Sequence, residues 1–195
     1  MIIKYISENL DVYFSLQIIF PFLTFANYHY NGLFNMQRTC LFPGTFDPVT
    51  MGHIDIINRA MPLFDKLVIG IGRNVNKVPM FSEEQRLNWL LEIYRDEPKV
   101  KAVVYDGLTV NCCKMVGANF ILRGIRYVND FEYEKAIADM NRSIDGHIET
   151  VFLTCLPQYT SIASTLVRDV LKHGGDVSQF LPDVVNQSIN NLKLK

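Results

Sequence analysis

Apolar positions in this chain alternate between two spacings. Short runs dominated by apolar or β-branched residues, Thr39–Phe42, Lys66–Ile71, Val100–Tyr105, Asn119–Leu122 and Thr150–Thr154, predict strands. Between them apolar residues recur at helical spacing: Ile54, Ile57, Met61 and Phe64 form one stripe, and Leu87, Leu90, Leu91 and Tyr94 another. Ser82-Glu83-Glu84-Gln85 precedes the second stripe as a capping box, in which serine and glutamine satisfy each other's free backbone N–H groups. Pro62 interrupts the first stripe near its end, where it should bend the helix. A helical tail begins at Ser164–His173 and is expected to run past Gly174-Gly175 to about Leu192. Strands alternating with helices predict an α/β fold, a Rossmann-like parallel sheet of five strands with helices on both faces, because parallel neighbours require crossovers. Ligands in such sheets bind beyond the carboxyl ends of the strands.

The first 35 residues break this plan. Val12 to Ala26 is rich in Phe, Ile and Leu, carries no charge and contains Pro21. That run is shorter than the ~18 consecutive apolar residues of a membrane helix. Lys4 is the only basic residue before it, with Glu8 and Asp11 intervening, and Ala26 offers a poor cleavage site, so a secretory signal fits badly. Residues 1–35 are therefore read as an in-frame extension outside the fold, and 36–195 as a single domain. A membrane or partner segment is the alternative for the extension.

Composition narrows the chemistry. A chain of 195 residues can bury one sizeable core. Its formal charge is −1, and without Lys4, Glu8 and Asp11 the remaining residues carry 18 charges of each sign. Extended nucleic-acid binding has little electrostatic support, whereas a small anion needs only a local cationic pocket. Cys40, Cys112, Cys113 and Cys155 form neither a C-x-x-C pair nor a disulfide framework, which suits a reducing compartment. Cys112 and Cys113 fall in an apolar helical pattern, where small buried side chains are expected rather than metal ligands.

The chemistry concentrates between Cys40 and His53. A strand passes through Gly44-Thr45-Phe46-Asp47-Pro48 into a helix whose start carries Thr50-x-Gly52-His53. Gly52 leaves room at the backbone, the first helical N–H groups are unpaired, and His53 sets an imidazole beside them, which are the parts of a phosphate site. A bare T-x-G-H tetrapeptide is more often an ordinary turn, with Thr50 as cap and His53 facing solvent. Further along come Asn76-Lys77-Val78-Pro79-Met80-Phe81, Leu122-Arg123-Gly124-Ile125-Arg126, Asp130-Phe131-Glu132-Tyr133-Glu134 and Ile162-Ala163-Ser164-Thr165-Leu166-Val167-Arg168. Arg123 and Arg126, read as directly following the fourth strand, have the planar forks that suit bidentate phosphate contact.

Taken in order, the five motifs resemble the bacterial phosphopantetheine adenylyltransferases, of the T-x-G-H nucleotidylyltransferase superfamily, over about residues 36 to 195. The resemblance implies adenylyl transfer from ATP to 4′-phosphopantetheine by direct in-line displacement, with Mg²⁺ entering on ATP, a homohexamer, a cytoplasmic location, and no nucleic-acid or membrane partner. It assigns catalysis to His53, Lys77 and Arg126. Lys77, Arg123, Thr109 and Thr45 would contact the acceptor. Thr45, Phe46, His53, Gly124, Ile125, Arg126 and Glu134 would contact the nucleotide, together with the loop and helix start Tyr159, Thr160, Ser161, Ile162, Ala163, Ser164 and Thr165. Ser164 and Thr165 are expected both to cap that helix and to bind phosphate oxygens.

Two departures from the family pattern stand out. Ala163 replaces the first serine of Ile-Ser-Ser-Thr, and Tyr159-Thr160-Ser161 replaces an aromatic-Ser-aromatic run. Alternatives to the main reading are a nucleotidylyltransferase for another phosphorylated acceptor, such as nicotinamide mononucleotide or a sugar-alcohol phosphate, and a regulatory nucleotide-binding module without catalysis. Lys77 to Phe81 and Asp130 to Glu134 argue against the former, and joint retention of His53, Lys77, Arg123 and Arg126 against the latter.

Overall fold

Five apolar runs pair as parallel strands: β1 Thr39–Gly44, β2 Lys66–Gly72, β3 Val100–Tyr105, β4 Phe120–Ile125 and β5 Glu149–Thr154. The structure, a computed structural model, describes residues 37–73 and 78–193. Lys77 and the extension 1–35 lie outside the described residues. Helices α1 Met51–Ala60, α2 Glu83–Ile93, α3 Thr109–Val116, α4 Val128–Ile144, α5 Ser164–Lys172 and α6 Asp183–Lys193 connect or follow the strands. The sheet order is β3-β2-β1-β4-β5, so the chain reverses direction across the sheet between β1 and β4. That switch point is where a doubly wound sheet opens a crevice.

Alternation along the strands divides the core into two layers. Cys40, Phe42, Leu67, Ile69, Ile71 and Leu122 face one cluster, completed by Ile56, Ile57 and Ala60 of α1, Trp89 and Leu90 of α2, and residues of α5 and α6. Leu41, Val68 and Ile121 face the other, closed by Val110, Cys112 and Cys113 of α3. The period of two thus sends successive side chains to opposite helical layers. All four cysteines are free thiols.

The capping box at α2 forms as expected, with Gln85 N–H donating to Ser82 Oγ at 3.1 Å and Ser82 N–H to Gln85 Oε1 at 2.8 Å. Pro62 falls in a 3₁₀ turn, Met61–Leu63, that ends α1 rather than bending it. Two boundaries differ most from expectation. Arg123, Gly124 and Ile125 lie inside β4, paired with Phe152, Leu153 and Thr154, because the ladder to β5 continues through residues that look like turn chemistry. The helical tail breaks after α5, where Gly174 takes φ +75° and Gly175 N–H turns back onto the Val170 carbonyl at 2.9 Å, a glycine stop that an L side chain would resist. A 3₁₀ turn at Ser178–Phe180 then leads through Pro182 into α6.

Candidate active site

The turn from β1 to α1 is over-determined. Phe46 sits at φ +47°, a conformation that costs a non-glycine residue about 1 kcal/mol or more, and its side chain is fully buried. Its ring packs edge-on against Phe42 at 5.5 Å and His53 at 5.0 Å. Buried Arg86, whose guanidinium titrates lower than usual because burial disfavours its charge, donates to the Thr45 carbonyl at 2.6 Å and the Phe81 carbonyl at 3.1 Å. Asp47 accepts the backbone N–H groups of Met80 and Phe81 at 3.0 Å each. From α5, Arg168 donates to the Asp47 carbonyl at 2.5 Å and Ser164 Oγ to the Pro48 carbonyl at 2.8 Å. Elements distant in sequence thus offset the local strain.

His53 stands in the first turn of α1, and its Nδ1 accepts the Thr50 backbone N–H at 3.0 Å. A neutral ring with Nδ1 accepting carries its proton on Nε2. Burial, helped by the charges of Arg126 and Arg123, lowers the imidazole pKa to about 4. At neutral pH His53 is therefore an uncharged hydrogen-bond donor.

His53 lines a cavity of about 280 Å³, whose walls are the β1–α1 turn on one side and Ile162 to Thr165 on the other, with Gly124 and Arg126 between them. A Cβ on Gly124 would approach Ile56 Cγ1 to 3.2 Å, so this glycine lets α1 pack closely on β4. A second cavity, about 680 Å³, is lined by Thr45, Tyr105, Thr109, Glu134 and Asn141 among others. Pro43, Gly44 and Arg123 line both. Both arginines are anchored: Arg123 pairs bidentately with Glu134, with 2.6 Å from Nε to Oε2, and donates to the Pro43 carbonyl at 2.8 Å. Arg126 is held by Asp130, its Nε 3.0 Å from Oδ2.

The residues singled out in the sequence divide between the two cavities. Phe46, His53, Gly124, Arg126, Ile162, Ala163, Ser164 and Thr165 gather at the first cavity, while Thr45, Thr109 and Glu134 gather at the second. Glu134, expected at the nucleotide, lines the second cavity and engages Arg123. Tyr159, Thr160 and Ser161 precede the first cavity's far wall, where Thr160 Oγ1 donates to the Leu156 carbonyl at 3.2 Å. Ile125 is buried within β4. Ser164 and Thr165 are the first helical residues and not the cap: the N-cap of α5 is Ala163, which has no hydroxyl to give. The cytidylyltransferase-like family model matches residues 41–170. A phosphopantetheine adenylyltransferase of Flavobacterium psychrophilum is 50% identical over 149 residues, 76% of this chain and 98% of that protein.

The chain belongs to the phosphopantetheine adenylyltransferase family.

Its relatives include the phosphopantetheine adenylyltransferases of Flavobacterium johnsoniae, 51% identical over 76% of this chain and 97% of that protein, and Lachnoclostridium phytofermentans, 44% identical over 76% and 91%. Within this adenylyltransferase fold, sequence reasoning missed Asp47 and Arg86 as the groups that lock the site turn. Their signal was slight, since the bonds that tie Asp47 to Met80 and Arg86 to Thr45 span 33 and 41 residues and neither residue breaks a periodic pattern.

Proposed function

We propose that the chain transfers the adenylyl group of ATP to 4′-phosphopantetheine, giving dephospho-coenzyme A and pyrophosphate. The observation that carries this reading is the pair of cavities meeting at Arg123, one furnished with a neutral imidazole donor and a helix start, the other with room for an extended acceptor.

ATP would occupy the first cavity and the acceptor the second, so that an acceptor phosphate oxygen attacks the α-phosphorus in line as pyrophosphate leaves. Little covalent work falls to the protein, and positioning with charge stabilisation dominates. His53 Nε2–H would donate to the α-phosphate or its bridging oxygen as negative charge develops. Because the imidazole is already neutral and its Nδ1 is occupied, it acts as a fixed donor rather than a nucleophile. Arg123 and Arg126 supply positive charge, and their carboxylate partners hold the forks in place. By family resemblance Lys77 would bind the acceptor phosphate.

The bare N-cap at Ala163 bears on the missing serine. With no side-chain cap, the first backbone N–H groups of α5 stay free to meet phosphate oxygens, so the contact would survive without the hydroxyl.

Mg²⁺ would arrive on the triphosphate. Among the described residues no group of three His, Cys, Asp or Glu side chains converges to form a protein cage, whereas phosphate oxygens suit a hard cation that keeps its waters. A homohexamer is the proposed assembly, supported by α4, a helix of 17 residues with none buried and with Val128, Phe131, Met140 and Ile144 exposed. The proposed location is cytoplasmic, supported by the free thiols; among the described residues no helix is long and apolar enough to cross a membrane.

Pyrophosphate release from ATP, measured with 4′-phosphopantetheine, unphosphorylated pantetheine, nicotinamide mononucleotide and a sugar-alcohol phosphate, tests the reading. Turnover is expected with the first alone. A preference for either of the last two would replace the acceptor, and no release with any of them would favour a regulatory module.

A further inference from the structure

The two walls of the first cavity are brought together from distant parts of the chain. Asp55, two residues beyond His53 on α1, has a side chain only 5% exposed. Its Oδ2 accepts from Arg59 Nη1 at 3.1 Å and from the Leu156 backbone N–H at 3.5 Å. The same Arg59 nitrogen donates to the Thr154 carbonyl at 2.8 Å. Asp55 and Arg59 therefore grip the end of β5 on both sides of Cys155, which itself lines the cavity. At the other end of this segment Ser164 is fixed to the Pro48 carbonyl.

We propose that Asp55 and Arg59 are positioning residues that set the width of the first cavity, and through it nucleotide affinity, without touching the nucleotide. The proposal rests on the reading of that cavity as the ATP site. The walls are close: a Cβ on Gly52 would stand 3.7 Å from the Ile162 carbonyl and 3.8 Å from Tyr159 Cβ. A small shift of the far wall would therefore misplace every group it carries. Stability alone does not call for this pair. α1 already buries Ile56, Ile57 and Ala60, and an ion pair whose arginine side chain is 36% exposed contributes little to stability. What the pair adds is direction, because it registers one backbone donor and one backbone acceptor at the end of β5, where the segment leading to the far wall begins, against the helix that bears His53. Neither side chain lines either cavity, but Cys155, between the two backbone groups they hold, lines the first and not the second, so the effect should fall on the nucleotide.

The test compares Arg59→Met, Arg59→Lys and Asp55→Asn with the full-length chain. ATP affinity is read by titration calorimetry, KM is measured for ATP and for 4′-phosphopantetheine, and thermal melts are run alongside. Arg59→Met is expected to weaken ATP roughly 5- to 20-fold while the acceptor KM stays within about twofold, and Arg59→Lys to recover part of the loss. Asp55→Asn should follow Arg59→Met; if it fails to fold, the Arg59 variants decide, since that side chain is 36% exposed. Unchanged ATP affinity in folded Arg59→Met would overturn the brace, as would parallel weakening of both substrates with a lowered melting point. Absence of ATP binding by the unaltered chain would overturn the cavity assignment itself, and that result is read separately from the variants.

Discussion

The first cavity is walled by the β1–α1 turn and the segment that opens α5, and backbone groups do most of the holding: Thr50 N–H orients His53, and the Thr154, Pro48 and Asp47 carbonyls anchor the elements around it. The second cavity, about 680 Å³ against about 280 Å³, is organised by side chains meeting side chains, Arg123 with Glu134 and the Tyr105 hydroxyl with Thr109 Oγ1 at 3.1 Å. The difference follows from the work proposed for each. Reaction at phosphorus needs donors fixed within a fraction of an ångström, which backbone anchoring provides. Seating a long acceptor needs a shaped wall, which side chains can supply.

The largest expected effect breaks the chemistry of the first cavity. His53→Ala should lower kcat by roughly 10²-fold or more, the scale for one preorganised donor, while ATP affinity measured by calorimetry changes far less. Near-normal turnover would remove His53 from the chemical step.

The next sharpens the division between cavities. Lys77→Ala should lower kcat/KM for 4′-phosphopantetheine by roughly 10- to 100-fold, in keeping with a lost charged hydrogen bond, and leave ATP affinity within about twofold. Arg123→Ala, at the junction, should impair both substrates. Equal losses for ATP and acceptor in Lys77→Ala would dissolve the distinction.

A smaller effect appears as pH dependence. The folded-state pKa of His53 is lowered to about 4, so between the ordinary imidazole value and that figure the unfolded chain binds a proton that the folded chain does not. Folding stability should therefore fall as pH drops from about 6.5 towards 4, by on the order of 3 kcal/mol from this residue. Denaturant unfolding of wild type and His53→Asn at pH 7 and pH 4.5 checks it: the wild type should lose more. Identical losses would mean that the imidazole is not held neutral.

These contrasts explain what could be read in advance. The turn at Gly44 to His53 was legible because its chemistry is local, with glycine, threonine and a helix start in one short string. The strands were legible from their apolar runs, but the end of β4 was not, since Arg123-Gly124 looks like a turn until β5 pairs beside it. Glu134 could be placed near phosphate chemistry yet not at Arg123, because that ion pair forms only when α4 folds back along β4. The cap at Ala163 escaped for a related reason: the hydroxyls of Ser164 and Thr165 were expected to cap α5, and the N-cap position falls one residue earlier, on an alanine.

The smallest expected effect concerns the extension. A chain beginning at Met36 should match the full chain in thermal melting, sizing and turnover, because the first strand begins only at Thr39 and the 149 residues matched in this chain already cover 98% of the Flavobacterium psychrophilum protein. Loss of fold or activity would give residues 1–35 a place in the domain.

The central claim is that both substrates are held at once and the adenylyl group passes directly between the cavities. Turnover of ATP made chiral at the α-phosphorus, with 4′-phosphopantetheine as acceptor, tests it through the configuration of the dephospho-coenzyme A formed. A single in-line displacement predicts inversion; retention would require a second displacement through the enzyme and would contradict the account.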